Sequence, residues 1–301
     1  MSTVDIRELD DSFVIHFGSS FKRINAYTLA STLVAVSDAV KKANNIVNPG
    51  YDVEIVVEAL GEGSFKTKIK AVYNSIGNVF SSDTLKAIIL NIIASYIYQI
   101  TLAPNTPINV KIDGDCVVIE QANQKVIIPK EVHEALKKVE RSKAFKDDIG
   151  RAVAAVEKDK DIQSFGIAKK LDYRKPSFEI MRENFSNITA DVEEQGNERH
   201  LTEVADLQIL KAILERTKRR WEFVWRGVKI SAPVTDQQFY SDFFSHKITI
   251  APGDSLKVKL RIHQVRDTDT GIYTNKKYEV IEVMEHMPKP KQIALDIDHD
   301  T

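Results

Sequence analysis

Both tryptophans of this chain lie in one run, Arg216-Thr217-Lys218-Arg219-Arg220-Trp221-Glu222-Phe223-Val224-Trp225-Arg226. From Lys211 to Lys229, seven Lys and Arg face only Glu215 and Glu222. Cationic side chains neutralise phosphates, and aromatic rings stack on exposed bases, as in proteins that hold single strands. Arg216, Lys218, Arg219, Arg220 and Arg226 are therefore candidate contacts to an anion or to nucleic acid. The same residues have a structural reading. Trp221, Phe223 and Trp225 alternate at period two, which sends all three to the core side of a strand. Arg216–Arg220 would then form a solvated basic loop ahead of it. The two readings are compatible, because buried rings can display a basic loop.

A second constellation lies in a long apolar stretch. Ala87–Ala103 runs without a charge. Within the helix predicted over 85–102, Asn91, Ser95 and Gln99 recur at intervals of four and form one narrow polar stripe. In a buried helix that stripe hydrogen-bonds to a neighbour or faces a protein interface, which makes these three the candidate interface residues. In a bilayer it would be a helix–helix contact. The charge-free segment reaches only about 26 Å at 1.5 Å per residue, short for a bilayer core of about 30 Å. Core burial or oligomer contact is favoured over membrane insertion through 85–103.

Other chemistry is not legible. Gly61-Glu62-Gly63 lacks the spacing and the Lys-Ser/Thr of a phosphate loop. The seven histidines contain no pair at i and i+4, and no Gly-x-Ser-x-Gly elbow occurs. Asp296, Asp298, His299 and Asp300 read as a polar tail rather than a metal site. Asp52 and Glu54 beside the lysines of the next strand read as paired surface charge rather than a nuclease cluster. No catalytic residue, cofactor or metal is implied. Cys116 is the single cysteine, so neither a disulfide framework nor a Cys-based metal site is expected, and a reducing cytoplasm is the expected compartment. Residues 1–8 contain Asp5, Arg7 and Glu8 and no apolar run, so no secretory signal is expected.

The positioning elements follow from periodicity. With 301 residues, 43% hydrophobic and 28% charged, the chain is long enough for two folded domains. A net charge of −1 argues against a wholly basic coat protein but leaves local patches open. Residues 25–43 predict a helix capped by Asn25, with Tyr27, Ala30, Leu33, Val34, Ser37 and Val40 inward. Val53–Ala59 and Phe65–Ala71 predict a hairpin around Gly61-Glu62-Gly63, with Glu58 opposite Lys66 and Glu54 opposite Lys70. A meander follows over 108–128, then two amphipathic helices carrying Val132, Leu136 and Val139, and Phe145, Ile149, Val153 and Val156.

The expected fold class is α+β: a mixed domain over 1–167 with an antiparallel hairpin sheet and the buried helix 85–102. A connector over 168–204 precedes a small β-barrel or sandwich over 205–287 and a flexible acidic tail over 288–301. The expected function is a non-enzymatic cytoplasmic binding or assembly protein with the β domain as recognition module. Its partners are a protein or a second copy. The alternatives are nucleic-acid binding through 211–229 and membrane insertion through 85–103.

Overall fold

A computed structural model describes residues 2–5, 12–19, 23–49, 52–61, 65–74, 83–101, 109–121, 124–168, 170–171, 176–190, 196–213, 219–267 and 273–289. The fold is α+β, with helices set against mainly antiparallel sheets. The chain divides into two compact units, residues 1–197 with 266–273, and residues 198–265 with 274–301.

The first unit contains β1 (Ser2–Asp5), β2 (Ser12–Ser19), α1 (Ala26–Val47), β3 (Asp52–Gly61), β4 (Phe65–Asn74), α2 (Asp83–Thr101), β5 (Asn109–Asp113), β6 (Cys116–Gln121) and β7 (Gln124–Pro129). It continues with α3 (Lys130–Val139), α4 (Lys143–Glu157), β8 (Ile162–Ala168), β9 (Phe178–Met181) and α5 (Phe185–Thr189). Two sheets form, in the orders β1-β7-β6-β5 and β3-β4-β2-β8-β9. β1 runs parallel to β7, whereas the other ladders described are antiparallel. Phe13, Ile15 and Phe17 of β2 join Val36, Val40, Leu90, Ile93, Ile97, Leu136, Phe145 and Val153 in one continuous core.

Asn25 caps α1 as its side chain suggests, accepting the Tyr27 N–H at 2.8 Å. The buried face of α1 differs from the expected stripe. Thr28, Thr32, Ala35, Val36, Asp38, Ala39, Val40 and Ala43 point inward, while Tyr27 is 58% exposed. Small side chains let α4 approach closely, and a charge cluster fixes the rotation. Asp148 of α4 is fully buried and bonds Lys42 of α1 at 2.6 Å. Arg151 bonds Asp148 and reaches Asp38 at 3.4 Å. Burial pushes the Asp148 carboxyl up from its ordinary range, and Arg151 and Lys42 pull against that. Burial opposes the Arg151 charge, but Asp148 and then Asp38 outweigh it and hold the guanidinium protonated.

The β3–β4 hairpin forms, in a different register. Gly61 belongs to β3 and pairs Lys66, and an irregularity between Val57 and Ala59 then sets Val56 against Lys70 and Glu54 against Val72. Lys66 thus faces a residue three positions further along β3 than expected, and Glu54 a residue two positions further along β4, so the expected Glu–Lys pairs do not lie opposite one another. Residues 168–204 are not a plain connector. β9 extends a sheet and α5 buries Phe185. Neither segment carries enough periodic residues to be legible alone.

The second unit contains β10 (Glu198–Lys211), β11 (Trp221–Trp225), β12 (Val228–Ala232), α6 (Gln237–Phe244), β13 (Ser255–Arg266) and β14 (Tyr273–Met287). They make one five-stranded sheet ordered β12-β11-β10-β13-β14. Among the described residues this ladder is neither a closed barrel nor a two-sheet sandwich. A single parallel bridge links Val234, just past β12, to Val280 of β14. Asp236 caps α6 by accepting from the Gln238 and Phe239 N–H groups. Residues 247–251, which alternate like a strand, form none. Their Ile248 and Ile250 pack against the core without a ladder partner. The tail from 290 onward lies outside the described residues.

Two outcomes follow. Asp148→Asn strips the buried partner from Lys42 and Arg151 and is expected to cost about 3–5 kcal/mol, read by urea unfolding in far-UV circular dichroism. His16 is 97% covered, and among the described residues neither ring nitrogen finds a hydrogen-bond partner. Burial lowers its pKa below 6.5, with Glu179 opposing and Lys66 adding to the shift. The unfolded chain then binds the extra proton, so stability is fully present above pH 6.5 and falls as the pH drops towards the folded value. His16→Gln should flatten the dependence of the urea midpoint on pH below 6.5.

Candidate nucleic-acid interface

β11 is a strand because Trp, Phe and Val favour a pleated surface, and its alternation decides which side chains face inward. Trp221 and Phe223 are fully buried and Trp225 nearly so. Trp221 stacks on Phe223 with centroids 5.9 Å apart and meets Phe239 of α6 edge-on, and Trp225 meets Tyr278 of β14 at 5.8 Å. The rings are thus core residues, and base stacking on them is closed.

The hairpin between β11 and β12 turns in two residues. Arg226 has φ of +50° and Gly227 +75°, the left-handed pair that matches strand twist. This turn folds the Arg226 side chain back over the sheet. Its guanidinium carbon lies 4.6 Å from the Trp225 ring, and one nitrogen sits 3.7 Å from the Glu203 carboxylate. Glu203 is 5% exposed. It occupies the inward parity of β10 between Leu201 and Ala205, a position where a carboxylate needs a cation. Glu203 is not among the candidate residues named from the sequence. Its signal was a carboxylate on the apolar parity of a strand.

The remaining basic residues have a different setting. Arg219 and Arg220 are exposed immediately before β11, and Lys211 is exposed at the end of β10. Arg216 and Lys218 lie outside the described residues. The outer face of β11–β12 presents Glu222 and Val224 opposite Ser231 and Lys229. Lys229 approaches Glu222 at 2.9 Å and holds that carboxyl below its ordinary range. The structure therefore gathers Lys211, Arg219 and Arg220 at one connection and separates Arg226 from them.

The α2 residues lie in the other unit. Asn91 and Ser95 are buried within the single chain, and Gln99 is half-buried. Among the described residues, the Asn91 Oδ1 and Ser95 Oγ atoms take no hydrogen bond. Tyr96 packs edge-on against Phe145 at 5.0 Å. Among the described residues no helix is long and apolar enough to cross a membrane. No group of three or more His, Cys, Asp and Glu is gathered for a metal among them either. Compared with protein-family models, curated proteins and solved structures, the chain matches none.

The two arginine environments separate on substitution. Arg226→Ala removes a cation from a buried carboxylate and is expected to cost about 1–3 kcal/mol. Arg219→Ala and Arg220→Ala are expected to stay within about 0.5 kcal/mol of the parent. Urea unfolding read by tryptophan fluorescence tests this, since both tryptophans report on the second unit.

Proposed function

We propose that this chain is a non-enzymatic cytoplasmic binding protein whose second unit is a small, partly open barrel that recognises single-stranded nucleic acid. The observation that carries the reading is the strand order joined by the Val234–Val280 bridge. The first three strands form a meander, a helix follows the third, and the fourth returns to pair with the first. The third and fifth are bridged in parallel, with Val280 donating to Pro233 and accepting from Thr235. That is the layout of five-stranded Greek-key OB-type barrels, which bind oligonucleotides on the face of their second and third strands and on the loop between the first and second. Here that loop is the basic connection 212–220, and the face carries Lys229 and Ser231. The analogy is one of strand order, and the site itself supports the ligand class through its charge.

With the aromatic rings inside, affinity comes from phosphate neutralisation, so binding is steeply salt-dependent. The same geometry leaves tryptophan emission nearly unchanged on binding. Fluorescence anisotropy of a labelled oligo-dT should show binding at about 50 mM salt that weakens strongly by about 200 mM. Arg219→Glu with Arg220→Glu should reduce the slope of log affinity against log salt by about 1.4, two contacts at about 0.7 each. Unchanged binding in that variant, or none by the parent at low salt, would overturn the proposal.

A further inference from the structure

The second unit also carries a pair of imidazoles that the nucleic-acid reading does not use. His200 of β10 and His263 of β13 are direct partners in the antiparallel ladder. Directly opposite residues share a face, and their Cβ atoms stand about 4.5–5.5 Å apart. The flanking Leu201 and Ile262 are themselves partners on the core side, so both histidines project outward. Their rings meet at a centroid distance of 4.2 Å with planes inclined at 81°. Among the described residues neither ring takes a hydrogen bond, so no neighbouring group claims the ring nitrogens. His200 is exposed and His263 half-covered, which leaves the His200 ring free to turn about its side-chain torsions.

We propose that His200 and His263 form a two-imidazole chelate for a divalent transition metal across the β10–β13 seam. Metal–nitrogen bonds of about 2.0–2.1 Å from two rings on one cross-strand pair require only a rotation that turns the edge-to-face contact into a shared bite. Glu198 lies on the same face two residues upstream, one pleat repeat away, so water completes the coordination sphere. Arg261, the next outward residue on β13, is tied to Glu279 at 3.0 Å, which removes most of its repulsion of a cation. Lys277 of β14 remains a like charge near His263 and weakens the field for the ion. Imidazole donors favour Cu²⁺ and Ni²⁺ over Zn²⁺ and disfavour Mg²⁺, which prefers oxygen. A bound ion would clamp two strands that meet through the length of the sheet and would stabilise the unit by mass action.

The test is titration calorimetry of the full untagged chain with Ni²⁺, paired with thermal unfolding read by tryptophan fluorescence. The parent should bind one ion per chain and unfold at a higher temperature with Ni²⁺. His200→Gln and His263→Gln should each weaken the step by about tenfold or more, the least expected when a direct ligand is lost. Unchanged melting of the metal-free variants shows that the fold is intact. Binding equal to the parent in the double variant assigns the ion to other residues and overturns the proposal. So does the absence of a binding step in the parent, or an equal response to Mg²⁺.

Discussion

Asp148 has no access to water, and the first unit is arranged around that fact. A buried carboxylate requires cations at hydrogen-bond distance, and Lys42 and Arg151 supply them from two helices. Lys42 comes from α1, so the pairing fixes both the rotation of α1 and its spacing from α4. Asp38 then closes the cluster on Arg151. With α1 locked in this rotation, Val36 and Val40 meet the β2 core through Phe13, Ile15 and Phe17, and Tyr27 is left outside. The cluster selects a helix register, because any rotation that left the Asp148 carboxylate buried and unpaired would be strongly destabilising.

The second unit solves a related problem with one carboxylate and one turn. Glu203 sits on the inward parity of β10, among residues that pack on Trp225 and Leu260. The two-residue turn brings Arg226 back over Trp225 to meet it. Arg226, one of the five candidate basic contacts, is thereby absorbed into the fold. In the proposed reading, recognition falls to Arg219 and Arg220, which are exposed just before β11. Removing the rings from the surface also changes the kind of binding available, from stacking towards charge. That favours a ligand defined by its phosphate backbone over one read base by base.

The strand order gives these residues a setting that neither ladder nor composition could provide. Three consecutive strands pair as neighbours, but β13 crosses to the far side of β10, and the segment after β12 reaches β14 through one bridge. The same crossover places His200 against His263, residues separated by most of the second unit in sequence.

The sequence by itself determined what depends on local periodicity. It specified the β11 alternation, the apolar character of α2, the inward faces of α3 and α4 and the Asn25 cap. These hold because three- to four-residue and two-residue repeats are properties of a single element. Tertiary structure alone decided the rest. The rotation of α1 came from a charge on a helix more than a hundred residues away. The hairpin register came from strand pairing that carries Gly61 into β3 opposite Lys66. Residues 168–204 gained β9 and α5 because a sheet edge and a core accepted them. Arg226 was assigned to the core by Glu203, and the histidine pair by the β10–β13 register. In each case the deciding partner is distant in sequence, and an interaction between distant residues leaves no periodic trace in either segment.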